Sequence, residues 1–328
     1  MKAFVSAQLD ETVLEYLRRQ AQVTLGGWGH TGSVLSPEQL VQAAQDCQLL
    51  VICYEPVNDY VLDRLPGLRF IACTRGGVEN FDKDAFKRHP QVMACNAPGR
   101  NANAVADLTL GLMLDVTRQI SLSNHYIRNR DWEHAKWFKA GKLKHKLFMG
   151  YELAGKTLGL VGYGEVGRRV ARRALGFDMR VLVYDPYISR EQETEQIGFT
   201  DLEALLRQSD FVSLHCKSTP QTANLINTET LSLMRPTAYL INTARGTLVN
   251  ETDLYQALTQ KRIGGAALDT LAAEPIAENH PFIDLPNIVL TPHIGGASYD
   301  IQAQQSAIVL EDLQAFFQGR RPPHLLSF

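Results

Sequence analysis

The chain has 328 residues, long for one domain and ample for two at the usual size of about 150. Its 45% hydrophobic and 21% charged residues suit a globular protein with a sizeable core, and a net charge of -2 gives no global electrostatic case for nucleic acid or a membrane surface as partner. Five cysteines, an odd number without a C-x-x-C pair, argue for reduced thiols over a disulfide framework. The start Met1-Lys2-Ala3-Phe4-Val5 lacks a signal-peptide core, and no apolar run reaches the ~18 residues of a membrane span. A cytoplasmic protein is expected.

Short apolar runs alternate with helical patterns along most of the chain. Strands are expected at residues 4–6, 49–53, 68–73, 92–94, 157–162, 180–184, 211–214, 238–242, 264–268 and 288–290, with amphipathic helices such as 165–176, 202–208 and 251–261 between them. This alternation predicts parallel sheets with helical crossovers, the doubly wound α/β class. A long helical stretch, about 101–130, separates an N-terminal α/β set from a second that begins near Thr157. The last helix, 298–318, follows the final strand of the second set. A simple packing solution returns it to the first domain, leaving a cleft between two lobes as the default ligand site. Around residues 121–150 an aromatic and basic interruption (His125, Trp132, Trp137, Lys139, Lys142, Lys144, Lys146) reads as an arm packing on a partner subunit with a solvated basic face.

The strand at 157–162 runs into Gly162-Tyr163-Gly164-Glu165-Val166-Gly167 and then a helix, a G-x-G-x-x-G fingerprint. Gly162 permits the tight turn, Gly164 lets the backbone approach a pyrophosphate, and Gly167 allows close helix–strand packing. The helix N-terminus adds N–H donors and partial positive charge for the phosphates. Such turns also occur for purely structural reasons, so context decides. Twenty-three residues after Gly162, at the end of the next strand, stands Asp185, a carboxylate suited to the adenosine ribose hydroxyls. It repels a 2′-phosphate, which favours NAD over NADP. The plainer reading of Asp185 alone is a turn residue before Pro186.

Three polar motifs follow, each at the carboxyl end of an expected strand: Asn242-Thr243-Ala244-Arg245-Gly246, Asp269 leading to Glu274-Pro275, and Thr291-Pro292-His293-Ile294-Gly295-Gly296. Reducing a 2-keto acid needs a cation to hold the carboxylate and polarise the carbonyl, an acid to protonate the alkoxide, and a group to orient that acid. Arg245 has the planar fork for the first task, His293 is the proton donor near neutrality, and Glu274 can hydrogen-bond the imidazole and keep it protonated. Singly, each could be a surface or capping residue. Their joint placement after strands of one dinucleotide-binding domain favours catalysis.

These motifs together resemble the D-isomer-specific 2-hydroxyacid dehydrogenase family. The likeness spans essentially the whole chain, including Asn96-Ala97-Pro98-Gly99-Arg100-Asn101 before the long helix. It implies two doubly wound parallel-sheet domains: a Rossmann NAD domain at 101–297, inserted into a flavodoxin-like substrate-binding lid domain at 1–100 plus 298–328. It further implies Arg245 as substrate clamp, Glu274 and His293 as the proton-handling pair, and Asp269 on the nicotinamide carboxamide. Thr219, Pro220, Thr243, Ala244 and Gly295 would line the cofactor, and the arm would make a homodimer. No metal site is expected.

The family's substrate loop commonly reads G-x-G-V-D-N, whereas here it is Arg75-Gly76-Gly77-Val78-Glu79-Asn80. Gly76 and Gly77 can still offer N–H groups to a carboxylate. Arg75 adds positive charge and, with Arg100, could recognise a second anion such as a distal phosphate; an Arg75 pointing to solvent is the alternative. Some phosphoglycerate dehydrogenases of the family carry a regulatory C-terminal domain for which a chain ending at Phe328 leaves no room, so serine feedback is not expected. The expected activity is hydride transfer between NAD(H) and C2 of a small D-2-hydroxy or 2-keto acid. The rival from another class is an NAD-sensing corepressor. Formate dehydrogenase is disfavoured, because Glu274 stands where that chemistry expects no carboxylate partner for the histidine.

Overall fold

The computed structural model describes residues 1–130 and 148–328. The tryptophans and lysines expected in the arm lie outside the described residues. Contacts divide the chain into two compact units, Met1–Asn101 with Ser298–Phe328, and Ala102–Ala297.

The first unit runs β1 (Lys2–Val5), α1 (Glu11–Gln20), β2 (Gln22–Leu25), α2 (Trp28–Thr31), α3 (Pro37–Ala43), β3 (Leu49–Ile52), α4 (Asp59–Arg64), β4 (Phe70–Cys73), α5 (Lys83–Arg88) and β5 (Met93–Cys95). Its sheet is parallel throughout with the order β2-β1-β3-β4-β5, the flavodoxin-like winding. β3 and β4 are continuous apolar runs, LLVI and FIAC, because both faces of a parallel sheet are covered. Leu40, Val61, Leu62 and Phe86 from α3, α4 and α5 pack one face. Leu14 and Leu17 of α1, with Val309 and Leu313 from the end of the chain, pack the other. Local chemistry agrees with the winding: Ser36 and Gln39 form a capping box around Pro37 at the start of α3.

The second unit holds α6 (Ala102–Arg118), α7 (Ile120–Arg128), β6 (Thr157–Val161), α8 (Glu165–Leu175), β7 (Arg180–Tyr184), β8 (Ile197–Phe199), α9 (Leu202–Gln208), β9 (Phe211–Leu214), α10 (Thr228–Leu233), β10 (Tyr239–Asn242), α11 (Glu251–Thr259), β11 (Gly265–Leu268) and β12 (Ile288–Leu290). The sheet order β8-β7-β6-β9-β10-β11-β12, all parallel, is the Rossmann 3-2-1-4-5-6 order with a seventh strand added. Strand order reverses between β6 and β9, and the crevice beyond the carboxyl ends there is where such sheets take ligands.

The final helix, α12 (Ile301–Phe317), packs on the first unit, where Phe316 stacks on Phe70 with centroids 4.6 Å apart. The tail follows it. Leu326 N–H donates to Ala94 O at 2.8 Å, and Phe328 stacks on Phe86 at 4.3 Å.

Two strands, β2 and β8, lie outside the set that the apolar runs predict. Both are short edge strands, and β2 is mostly exposed, so neither carries the apolar run of a buried strand. The single long helix expected over 101–130 is two helices. Gln119 breaks it with a left-handed φ of 54°, and the Asp115 carboxylate accepts from Ser121 N–H at 2.7 Å, capping the start of α7. All five cysteines are free thiols, and burial pushes Cys73 up to about 12.

Candidate active site

The glycine loop is shaped by contact as much as by flexibility. Gly162 has φ 99°, and a Cβ on it would stand 2.7 Å from His215 C and Cys216 N at the exit of β9. The loop is thereby seated on the point where strand order reverses. A Cβ on Gly167 would stand 2.3 Å from Gly162 O, so α8 lies directly on the turn. Gly164 is the N-cap of α8, makes no side-chain cap bond, and has open space where a Cβ would go. The amides of Glu165 and Val166 in the first turn thus start a helix with no capping side chain, a fitting anion seat. Asp185, one residue past β7, accepts from Tyr163 N–H at 2.8 Å and Tyr187 N–H at 2.9 Å, which ties the ribose-position carboxylate to the loop. Thr219 and Pro220 follow β9 on an exposed turn where Thr219 N–H donates to Thr222 Oγ1 at 2.8 Å. Thr243, buried after β10, shares a 2.9 Å hydrogen bond with Thr109 Oγ1 of α6. These residues fit a dinucleotide.

The three polar motifs come together at the carboxyl ends of β10, β11 and β12. Buried Asn242 shapes the Arg245 turn: its Oδ1 accepts from Ala244 N–H at 3.0 Å, and its Nδ2 donates to Arg245 O at 2.9 Å. Arg245 Nη1 donates to Ala244 O at 2.8 Å. Directly after it, Gly246 packs on the Leu271–Ala272 backbone, which carries the start of the Glu274 loop. Glu274 accepts from Leu271 N–H at 3.0 Å through Oε1 and from His293 Nδ1 at 2.6 Å through Oε2. Partial burial works to raise the Glu274 carboxyl. Hydrogen bonds from His293 and Leu271 N–H, with the charges of His293 and Arg245 behind them, outweigh it and hold the group below its usual value.

His293 takes a left-handed backbone, φ 54°, uncommon for a residue with a side chain. Its N–H donates to Asp269 O at 2.9 Å, and the Asp269 carboxylate accepts from Thr291 Oγ1 at 2.6 Å, Ile294 N–H at 2.8 Å and Gly295 N–H at 2.7 Å. Asp269 is 2% exposed, so buried charge-assisted bonds brace the histidine loop. Nδ1 is committed to Glu274, which leaves Nε2 as the second nitrogen of a side chain that is 47% exposed.

One bracing residue escapes the sequence motifs altogether. Glu251, at the start of α11, accepts from Ala272 N–H at 2.7 Å and from His280 Nε2 at 3.3 Å, pinning both ends of the loop that carries Glu274. In sequence Glu251 is indistinguishable from an ordinary first-turn helix acid.

The remaining site candidates belong to the first unit. Arg75 O accepts from Ala97 N–H at 2.8 Å, and Gly76 O from Asn96 Nδ2 at 2.6 Å. Arg75 Nη2 lies 3.2 Å from Glu79 Oε2, so this arginine has an ion-pair partner and is not aimed at bulk solvent alone. Gly77 lies under the same Glu79 carboxylate, and Arg100 donates to Gln305 Oε1.

A Rossmann-ordered sheet with this glycine loop and carboxylate defines a dinucleotide-binding protein. The family model described as D-isomer specific 2-hydroxyacid dehydrogenase, NAD binding domain, matches residues 110–295. Glyoxylate reductase of Korarchaeum cryptofilum (strain OPF8) is 36% identical over 331 residues, covering 99% of this chain and 96% of that one. D-3-phosphoglycerate dehydrogenase of Synechocystis sp. (strain ATCC 27184 / PCC 6803 / Kazusa) is 34% identical over 97% of this chain, but only 54% of its own length is matched. Among solved structures, a protein of Thermus thermophilus superposes with TM-score 0.82 at 36% identity over 100% of both chains. An NAD-complexed D-isomer specific 2-hydroxyacid dehydrogenase from Lactobacillus delbrueckii ssp. bulgaricus gives 0.82 at 25% identity, covering 99% of this chain and 100% of that one. The chain belongs to the D-isomer specific 2-hydroxyacid dehydrogenase family and is an NAD-dependent oxidoreductase acting on hydroxyl donors. Among the described residues, no helix is long and apolar enough to cross a membrane.

Proposed function

We propose that this enzyme interconverts a small 2-keto acid of the glyoxylate type and its 2-hydroxy acid, and that phosphorylated acids are poorer substrates. The observation that carries the chemistry is the 2.6 Å bond between Glu274 and His293, which commits Nδ1 and leaves Nε2 as the donor for a substrate oxygen. Arg245, whose charge reaches Glu274, grips the substrate carboxylate and polarises the carbonyl. Bound nicotinamide supplies the hydride for C2. His293 passes its proton to the alkoxide, and Glu274 steadies the ring while its charge changes. Asp269 keeps the histidine loop in place and would meet the nicotinamide carboxamide, while Gly162–Gly167, Asp185, Thr219, Pro220, Thr243, Ala244 and Gly295 would hold the dinucleotide.

Relatives named glyoxylate reductase align with 99% of this chain at 34–36% identity, which supports the small substrate. We also read α7 as part of a face for a second copy of this chain. None of its residues is buried, and Ile120, Leu122 and Ile127 are exposed. Sedimentation velocity showing only monomer would overturn that assembly.

The test of the reaction is NADH oxidation followed by absorbance with a panel of 2-keto acids. Glyoxylate should be turned over with a higher kcat/KM than 3-phosphohydroxypyruvate. His293→Ala should lose roughly 10²–10⁴ in kcat with NADH binding kept, and Arg245→Ala should lose both rate and substrate affinity. No oxidation with any small keto acid would overturn the reading in favour of an NAD-sensing binding protein.

A further inference from the structure

We propose that Glu251 is a positioning residue for the reaction: from the first turn of α11 it holds the stretch of backbone on which the Glu274 carboxylate is seated, and so sets where Glu274 meets His293. The inference rests on the reaction proposed above, and every residue in it belongs to the second unit.

Two carboxylates grip two consecutive amides. Glu251 Oε1 accepts from Ala272 N–H at 2.7 Å, and Glu274 Oε1 accepts from the preceding amide, Leu271 N–H, at 3.0 Å. The other oxygen of Glu274 takes the 2.6 Å bond from His293 Nδ1. Both amides flank the Leu271 α-carbon, so a shift of Ala272 N–H carries Leu271 N–H with it, and with that the seat of Glu274. Gly246 limits the same stretch by contact, since a Cβ there would stand 1.9 Å from Leu271 C and 2.3 Å from Ala272 N. A contact resists approach and a hydrogen bond resists departure, so the stretch needs Glu251 as well as Gly246.

Glu251 is itself aimed. Its Oε2 lies 3.3 Å from His280 Nε2, and His280 Nδ1 accepts from Phe282 N–H at 3.3 Å. With Nδ1 accepting, the ring proton sits on Nε2 and is donated to Glu251. The His280 ring meets the fully buried Phe282 ring edge-on, with centroids 4.9 Å apart, which ties it to the core of the unit. The Glu251 and His280 side chains are 23% and 17% exposed, so water competes only partly for these bonds. Helix α11 has its cap without Glu251: Asn250 Oδ1 accepts from Asp253 N–H at 3.1 Å. The Glu251 carboxylate is turned instead to the loop that carries Glu274.

The experiment measures kcat and KM for glyoxylate with NADH in wild type, Glu251→Ala, Glu251→Gln, Glu274→Ala and the double variant Glu251→Ala/Glu274→Ala, beside NADH affinity by fluorescence titration. Glu251→Ala should lose about tenfold or more in kcat, with NADH affinity kept as the sign of a folded unit. Glu251→Gln keeps an oxygen for Ala272 N–H and should restore most of that rate. In the Glu274→Ala background no carboxylate remains to be seated, so removing Glu251 should cost about twofold or less, because effects that run through one residue do not add. An unmoved kcat in Glu251→Ala, the same fold-loss in both backgrounds, or a Glu251→Gln variant as slow as Glu251→Ala overturns the inference, while glyoxylate turnover by the wild type leaves the proposed reaction standing. A wild type that oxidises NADH with none of the keto acids overturns both.

Discussion

Gly246 lies against Leu271 so tightly that a methyl group on its α-carbon would stand 1.9 Å from the Leu271 carbonyl carbon. This contact joins the loop carrying Arg245 to the loop carrying Glu274. Gly246→Ala must therefore push the two apart. A displacement near 1 Å costs on the order of 10²-fold in rate, so kcat should fall by about that factor while NADH affinity, set at the Gly162 loop, changes far less. Stopped-flow fluorescence of NADH binding beside steady-state rates checks it. Equal losses in both would show that the contact holds the whole unit and not the catalytic geometry.

Glu274 should make acid stability depend on its bond to His293. Its carboxyl lies below the usual value of 4.5 in the folded chain, so the folded state binds the proton less readily than the unfolded one. The resulting stabilisation is fully present above the unfolded pKa and is lost as pH falls through the lower folded one. Thermal unfolding of wild type and Glu274→Gln should differ at neutral pH and converge below pH ~4. A gap that stays constant down to that range would remove the charged hydrogen bond from the account.

His215 gives a second acid limb with a different window. Burial pushes its imidazole down to about 3, and its Nε2 shares a 2.9 Å hydrogen bond with Ser213 Oγ. Between about pH 6.5 and about 3 the unfolded chain takes up a proton that the folded chain refuses. Stability should fall across that range as pH is lowered. Replacing the imidazole in His215→Gln should flatten the Tm profile between pH ~6.5 and ~4.5; parallel profiles would refute this.

Asp185 has two tasks that cofactor choice can separate. It braces Tyr163 and Tyr187 N–H, and it would repel a 2′-phosphate. Asp185→Ala should weaken NADH about tenfold or more and NADPH much less, measured by fluorescence titration. Equal weakening of both would reduce Asp185 to a loop brace.

Much of this architecture is legible in the sequence, for a physical reason. Strands buried on both faces are written as apolar runs: LLVI at β3, FIAC at β4 and FVSL at β9 stand out against their polar neighbours. Edge strands such as QVTL at β2 pair on one side only and show no such run. The break at Gln119 is equally silent, since it depends on an Asp115 cap that looks like any helix-surface acid. In the site, Gly162, Asp185, Arg245, Glu274 and His293 announce themselves through residue type and position after strands. The groups that aim them do not. Glu251 reaches Ala272 from another element, and Asp269, expected only at the cofactor, also gathers three donors from the histidine loop. Support of this kind is a property of the folded neighbourhood, which local pattern does not encode.

The first unit is assembled from both ends of the chain, and that orders its birth on the ribosome. Residues 102–297 contain every strand and crossover of the seven-stranded sheet and emerge as one uninterrupted stretch. The five-stranded sheet is synthesised earlier, yet the face that α1 only partly covers stays incomplete until α12 brings Phe316 to Phe70, and its β5 edge until Leu325 and Leu326 reach Cys95 and Ala94. The segment made first is thus the last to be finished, and during translation its exposed apolar face is the surface that chaperones would have to guard.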